Sequence, residues 1–254
     1  MHKELLYAFM AFFVLSLNVV VVAYAVENQS EKGSFIDSWE IDVTGDGVNN
    51  KVTLYGLPYD EDSPYFKEVW STVQTASGEN LQIDYKPGYE PTLQFEDLNH
   101  DLVLDIFYSS PTGGSGGLSN YALHTTKDNE ITDITIPKPL HISGEFQENY
   151  QAQIDFLDTE QSFQVDLSKR KEDYGRLGIY KNGKLLKPTK LMIAPYSFLE
   201  IVEIKDKKGK GLKGSQQISG AYNADSIGLA QSFWFYEEDS WSLQKAKWKP
   251  YKAD

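Results

Sequence analysis

Apolar and polar residues alternate over short segments along most of this chain, a pattern that predicts β-strands rather than helices. Typical segments are 81–85 (LQIDY), 154–156 (IDF), 163–167 (FQVDL) and 233–236 (FWFY). A period of two places successive side chains on opposite faces of a strand, so that one face can be buried. We therefore predict an all-β, mainly antiparallel fold.

Helix is expected to be a minor component. Residues 169–177 form the one segment that favours a short helix, with Ser168 as its N-cap. Asn182-Gly183 lies between apolar pairs and predicts a tight hairpin. A second hairpin is predicted from 231–236 and 241–248, around an acidic turn.

Two nine-residue segments carry the most specific chemistry in the chain. Each has oxygen-bearing side chains at positions 1, 3, 5 and 9, and a backbone carbonyl available at position 7. Calcium takes six to eight oxygen ligands, and odd positions of one turn of chain can supply them. We predict two Ca²⁺ sites, with ligands Asp42, Thr44, Asp46, Val48 and Asn50 in the first loop and Asp97, Asn99, Asp101, Val103 and Asp105 in the second.

These loops are not EF-hands. Position 12 is Thr53 in the first loop and Tyr108 in the second, where an EF-hand has a bidentate Glu. The flanking segments also have strand patterns instead of helical ones. The alternative is that Asp, Asn and Gly cluster here only to close surface turns.

The two loops differ in charge and in backbone strain. The first offers two carboxylates and the second offers three. At position 6, a positive φ is free for Gly47 but costs Leu102 roughly 1 to 2 kcal/mol. Since charge favours the second loop and strain favours the first, their order of affinity stays open.

The N-terminus has the composition of a secretory signal peptide. Residues 5–23 are apolar apart from Ser16 and Asn18, follow Lys3, and lead into the small-x-small pattern Ala23-Tyr24-Ala25. An uncleaved N-terminal membrane anchor is the alternative, because the run approaches the ~20 residues that span a bilayer. The chain has no Cys, which excludes disulfides and lipid attachment at a thiol.

Removal of residues 1–25 takes away one Lys and one Glu, so the mature chain keeps the formal net charge of −13. Nucleic acid is then an unexpected partner, because phosphate binding needs a basic face. We predict a single β domain over 26–254, without a membrane span after cleavage. It comprises calcium-loop repeats at 35–136 and a divergent β half at 145–254.

The two loops start 55 residues apart, near the period of β-propeller blades with an insertion. Further periods fall at Ala152 and Lys207, where no acidic loop is present. A propeller-like fold of four to five blades therefore needs divergent blades in the C-terminal half. A different β module covering the first two blades is the alternative.

The order strand, DVTGDG loop, strand, then a second loop DLNHDLVLD is similar to the FG-GAP/VCBS repeats of integrin-like propellers. Further segments resemble secreted VCBS-repeat-containing proteins of Gram-positive, spore-forming bacteria: SPYF (63–66), GYEP (88–91), PTGGSGG (111–117), LKGSQQISGAYNAD (212–225) and the final Trp-rich hairpin. The resemblance implies an extracellular calcium-binding β-protein and no reaction. Asn50 and Leu102 depart from it, since Asp and Gly are usual there.

Three other features have a structural and a functional interpretation. The turn 111–117 lacks the Lys-Ser/Thr ending of a phosphate loop, and is expected to be a turn or a ligand-contacting loop with Thr112 and Ser115. The three Trp residues of the last hairpin are expected mainly in the core, with a sugar-stacking platform as the alternative. The lysine-rich run 205–213 is either a solvated loop or a contact for an anionic wall polymer.

Two functions are consistent with these features. The first is an exported, calcium-stabilised, non-enzymatic module at the cell surface or in the medium, binding a wall polymer, a glycan or another surface protein. The alternative is a secreted hydrolase of a wall glycan or phosphorylated polymer, with Asp105 or Glu96 as acid or base. The Gly-x-Ser-x-Gly match at 113–117 leads into a strand-like segment at 118–125, whereas a nucleophile elbow leads into a helix. No His-Glu-x-x-His motif is present, so a non-enzymatic role is favoured.

Overall fold

We describe the fold from a computed structural model, which covers residues 33–114 and 116–251. The predicted signal peptide lies outside these residues, as does Ser115. The described chain is built of antiparallel sheets with one short α-helix, which confirms the predicted all-β class. No helix within the described ranges is long and apolar enough to cross a membrane.

The first sheet is a four-stranded meander in the order β1-β2-β3-β4, with β5 pairing to β3. The alternating pattern buries one row of side chains, including Val52, Leu54, Val69 and Val73. Its strands are β1 (Ser34–Ile41), β2 (Asn50–Pro58), β3 (Tyr65–Gln74), β4 (Asn80–Tyr85) and β5 (Gly88–Tyr89).

The second sheet repeats this meander in the order β6-β7-β8-β9. Its strands are β6 (Thr92–Glu96), β7 (Asp105–Pro111), β8 (Ser119–Thr125) and β9 (Thr132–Asp133). The first predicted calcium loop joins β1 to β2, and the second joins β6 to β7. The two loops thus occupy the same place in two successive sheets.

The remaining chain forms three more β units and the helix. A three-stranded sheet contains β10 (Ile142–Gln147), β11 (Gln151–Phe156) and β12 (Gln161–Asp166), and a small hairpin contains β13 (Tyr180–Lys181) and β14 (Lys184–Leu185). A four-stranded meander of longer strands follows: β15 (Met192–Glu203), β16 (Lys210–Ser219), β17 (Ser226–Glu237) and β18 (Ser240–Pro250).

Local predictions in this half are mostly correct. Asn182 and Gly183 both have positive φ in the β13–β14 hairpin, as its turn requires. The predicted helix is a 3₁₀ turn at Ser168–Arg170 followed by α1 (Lys171–Arg176). The N-cap prediction for Ser168 is wrong, because Ser168 lies inside the 3₁₀ turn and the cap position is Leu167, without a side-chain cap hydrogen bond.

Three hydrophobic clusters hold these sheets together. One lies between the first two sheets, and another lies between the three-stranded sheet, α1 and the last sheet. The third, here called the joining core, combines both halves of the chain and consists of Leu98, Phe107, Leu123, Ile134, Tyr196, Leu199 and Leu212. The described sheets do not close into a barrel, and the arrangement in four to five blades stays a prediction.

Candidate calcium loops

The first loop is held by hydrogen bonds from its own backbone. The Asp42 carboxylate accepts from the N–H groups of Thr44 and Gly45 through Oδ1, at 3.1 and 2.7 Å, and from Gly47 through Oδ2, at 2.9 Å. Asp46 Oδ1 accepts from the N–H of Val48 at 2.9 Å. The loop is therefore wrapped around its first carboxylate.

The second loop repeats these bonds at equivalent positions. Asp97 Oδ2 accepts from the N–H of Leu102 at 3.0 Å, as Asp42 Oδ2 does from Gly47. Asp101 Oδ1 accepts from the N–H of Val103 at 3.0 Å, and Asn99 Oδ1 accepts from that of Asp101 at 3.0 Å. The predicted positive φ at position 6 is present in both loops, at 82° for Gly47 and 71° for Leu102.

Position 9 distinguishes the two loops. Asn50 is buried, and its Oδ1 accepts from the N–H of Val43 at 3.0 Å and from the Thr44 hydroxyl at 3.2 Å. Its Nδ2 donates to the Gln74 carbonyl at 3.3 Å. Both ends of the Asn50 amide are therefore satisfied by the protein itself.

Asp105 has the same place in the second loop, but only one of its two carboxylate oxygens has hydrogen-bond partners. Its Oδ2 accepts from the N–H groups of Leu98 and Asn99 at 2.8 and 3.1 Å. Its Oδ1 is buried without a hydrogen-bond partner, and the residue has 0% exposure. A buried carboxylate oxygen without a partner is costly, so this loop fits a bound cation better than the first loop does.

The electrostatics of the second loop agree with this contrast. Burial raises the pKa of Asp105 to about 6, although the N–H groups of Leu98 and Asn99 oppose the rise. The nearby carboxylates Asp101 and Asp97 raise this pKa further. The site therefore carries excess negative charge that a cation would neutralise.

One cationic side chain already reaches the second loop. Lys127 Nζ lies 3.1 Å from Asp101 Oδ2 and 3.4 Å from the Asp101 carbonyl. Within the described residues, no group of three or more His, Cys, Asp or Glu side chains is assembled to hold a metal ion. The three Asp residues of this loop are instead turned toward backbone N–H groups and Lys127.

The two loops lie side by side. A Cβ atom built on Gly45, whose φ is 77°, would come within 2.6 Å of Val103 Cγ2. Segment 126–128 also contacts the first loop, since the Thr126 hydroxyl donates to the Val43 carbonyl at 2.7 Å. Sequence reasoning missed Thr126 and Lys127, because neither belongs to a local motif with the loops.

His100, at position 4 of the second loop, points out of the loop toward the last sheet. Its ring stacks on Phe235 of β17 with a centroid distance of 4.3 Å. Its Nε2 is buried without a hydrogen-bond partner. The second loop therefore contacts the last sheet directly, whereas the first loop packs within the N-terminal half.

The two carboxylates of the hydrolase hypothesis have different surroundings. Asp105 is inaccessible to a substrate because it has no exposed surface. Glu96 forms an ion pair with Lys210 at 2.6 Å. The geometry of these two residues gives no support to the hydrolase alternative.

The other features that the sequence singled out mainly have structural roles. Turn 111–117 joins β7 to β8, and the Thr112 hydroxyl donates to the Leu118 carbonyl at 3.0 Å. Trp234, Trp241 and Trp248 pack against the hydrophobic clusters, but all three are only partly buried. Trp241 Nε1 also donates to the Thr135 carbonyl at 2.7 Å.

A buried polar cluster in the C-terminal half was not predicted. Asp225 is buried, pairs with Arg170, and accepts from the Tyr174 hydroxyl and the Ala221 N–H at 2.8 Å each. It ties the turn after β16 to α1 and the 3₁₀ turn. Because the partners are about fifty residues apart, no local pattern could have indicated it.

Comparison with known proteins shows that the C-terminal half is similar to a described domain family. Residues 140–249 match the YybI C-terminal domain, a segment that spans β10 to β18. The chain is 27% identical over 218 residues to "Uncharacterized protein YybI" of Bacillus subtilis (strain 168), covering 82% of each chain. No solved structure matches the chain significantly. The protein is thus similar, over most of its length, to an uncharacterised Bacillus protein, and its C-terminal half is similar to that protein family's C-terminal domain.

Proposed function

We propose that the protein is an exported, calcium-binding β-repeat protein whose fold is stabilised by the ion, with a non-enzymatic binding or structural role at the cell surface or in the medium. The observation that carries this proposal is the buried, unpartnered Oδ1 of Asp105 in a loop with calcium-ligand spacing. A hard cation would satisfy this oxygen and offset its desolvation.

The second loop is the principal site in this proposal. Its candidate ligands are the side chains of Asp97, Asn99, Asp101 and Asp105 and the carbonyl of Val103. The first loop is the weaker site, since Asn50 is already fully hydrogen-bonded by the protein. The corresponding candidates there are Asp42, Thr44, Asp46, Asn50 and the carbonyl of Val48.

The repeated hydrogen bonds also support a relation between the two N-terminal sheets. Both loops use their position-1 and position-5 carboxylates on equivalent N–H groups, and both connect the first two strands of a meander. This pattern supports the proposal that the two sheets are repeats of the VCBS/FG-GAP kind. The C-terminal half would then cover their exposed faces.

Export and calcium are linked physically. Extracellular modules bind calcium at roughly 0.1 to 1 mM, a concentration range available outside cells. At about 1 mM free calcium, a site of about 0.1 mM contributes RT ln 11, or roughly 1.4 kcal/mol. In a protein without disulfides, a contribution of this size is a substantial share of the total stability.

Thermal unfolding of residues 26–254 tests the proposal. We expect a rise of several degrees in Tm between excess EDTA and about 1 mM calcium, and a smaller one with magnesium. Magnesium is the control because it requires a tighter octahedral shell. Equal Tm values in EDTA and calcium would reject calcium as the stabilising ligand.

A further inference from the structure

The last sheet carries a row of exposed lysines on its outer edge. Lys245, Lys247 and Lys249 alternate along β18, and all three are exposed. Residues two apart on a strand point to the same face, with a separation of about 7 Å. The opposite face of β18 turns Ala246 and Trp248 toward the hydrophobic core. The sheet thus holds three charges in a line on a rigid element.

The lysine-rich run that the sequence singled out extends this row. Lys205 and Lys207, in the turn between β15 and β16, line a surface depression of about 460 Å³ together with Phe233, Lys245 and Lys247. Residues forty apart in sequence are therefore brought onto one surface. We call Lys205, Lys207, Lys245, Lys247 and Lys249 the lysine row.

Most of the charge in the lysine row is not neutralised by the protein. Lys207 pairs with Glu237 at 2.5 Å, and exposed Lys205 reaches Asp206 only at 4.0 Å. Lys247 lies over the Phe233 ring at 5.2 Å. Within residues 33–114 and 116–251, Lys245 and Lys249 have no ion pair.

A count of the neighbouring charges gives the sign of this surface. The carboxylates that line the depression or pair with the row are Glu203, Asp206 and Glu237. Five lysines against three carboxylates leave a local charge of +2, in a chain with a net charge of −13. An exposed basic line on a strongly acidic protein attracts anionic groups over about a Debye length, near 10 Å.

We propose that the lysine row binds a linear phosphodiester polymer with a polyol repeat unit. The three β18 lysines of the row lie in a line with a spacing of about 7 Å, which suits a chain of evenly spaced phosphates better than a planar lipid surface. Lysine ammonium groups bind phosphate as point charges. Phe233 is covered by Lys247, so that it offers no open ring for stacking a nucleic-acid base.

This inference gives a ligand class and a surface to the binding role proposed above, and it rests on that role. It does not depend on the calcium loops, because none of the five lysines belongs to them. The two ideas can therefore fail separately.

The test measures binding of residues 26–254, the chain used for thermal unfolding, to poly(glycerol phosphate), with single-stranded oligothymidylate and phosphatidylglycerol vesicles as comparison probes. One variant replaces the three β18 lysines, Lys245→Gln, Lys247→Gln and Lys249→Gln. The matched control makes the same change of charge at exposed lysines around the β13–β14 hairpin, Lys181→Gln, Lys184→Gln and Lys187→Gln. Each measurement is made in EDTA and in calcium.

We expect binding to poly(glycerol phosphate) that weakens with salt, an affinity at least about tenfold lower in the β18 variant, and little change in the control. Lysine-directed labelling of the unmodified chain provides a second measurement, in which the polymer protects Lys245, Lys247 and Lys249. This second measurement does not require any variant to fold.

Several results would overturn the inference. These are no binding at low salt, equal affinity in the β18 variant and the control, no protection of the three lysines, or tighter binding to oligothymidylate or vesicles. Polymer binding in EDTA without a calcium-dependent Tm would reject the calcium proposal alone. A calcium-dependent Tm without polymer binding would reject the lysine row alone.

Discussion

The position-9 residues of the two loops permit a reciprocal exchange, in which Asp105 becomes Asn and Asn50 becomes Asp. Asp105→Asn removes a buried charge and retains an oxygen for the N–H groups of Leu98 and Asn99. The new amide group can donate as that of Asn50 does to Gln74. By strand register, the equivalent acceptor is the carbonyl of His124.

The magnitude follows from the burial of Asp105. The rise of its pKa from 3.8 to about 6 corresponds to about 3 kcal/mol against the ionised form. We expect Asp105→Asn to stabilise the calcium-free protein by about 1 to 3 kcal/mol at neutral pH. It should also remove most of the stabilisation by calcium, about 1.4 kcal/mol at about 1 mM.

Asn50→Asp is the matched opposite change. It places a carboxylate in a site with 1% exposure, where the Asn50 amide was fully hydrogen-bonded. We expect it to destabilise the protein in EDTA by about 1 to 3 kcal/mol and to increase the response to calcium.

Urea unfolding of both variants, in EDTA and in calcium, measures these changes. Retention of the full calcium response by Asp105→Asn would refute the role assigned to its unpartnered oxygen. A large loss of stability for this variant in EDTA would also contradict the reasoning, because the carboxylate would then be favourable without an ion.

Three further predictions concern packing, the buried polar cluster and pH. Gly45→Ala should lower the free energy of unfolding by about 2 to 4 kcal/mol, since its Cβ would meet Val103 at a positive φ. Gly47→Ala has no atom within 4 Å of its Cβ and should lower it by only about 1 kcal/mol. Equal losses of the two variants in urea unfolding would contradict this packing. Asp225→Ala should lower the free energy of unfolding by about 3 to 5 kcal/mol, because it leaves Arg170 and Tyr174 without their acceptor, while Tyr174→Phe should lower it by about 1 kcal/mol. Equal losses of stability for the two variants in thermal unfolding would argue against the shared cluster. Burial lowers the pKa of His124 in the folded protein. As the pH drops below about 6.5, the unfolded chain therefore takes up a proton at this residue before the folded protein does, and the free energy of unfolding falls. His124→Gln should weaken this pH dependence of the free energy of unfolding, measured with urea at several pH values, and an unchanged pH dependence would exclude His124 as its source.

The sequence predicts the N-terminal half well for a physical reason. The strands that flank the loops have a clear period of two, and the loop residues mark where each strand ends. The predicted segment 81–85 corresponds to β4 (Asn80–Tyr85), and the two predicted loops lie between β1 and β2 and between β6 and β7. Local geometry therefore fixes these elements.

Other features depend on contacts that local patterns do not contain. Ser168 resembles an N-cap, but the 3₁₀ turn already includes Ser168 and has Leu167 at its cap position. Lys127 reaches Asp101 across 26 residues. The sequence places both Asn50 and Asp105 in the ligand set, but it cannot indicate which of them has an unsatisfied oxygen. That difference appears only when the donors around each side chain are known.

The joining core has a consequence for how the chain can be divided. Leu98 comes from the second loop, and Phe107 and Leu123 come from the second sheet. Tyr196, Leu199 and Leu212 come from the segment that matches the YybI C-terminal domain. A fragment limited to 140–249 would leave the latter three apolar side chains uncovered in water. The boundary of sequence similarity near residue 140 is therefore a poor place to cut the protein, and we expect the two parts to unfold together.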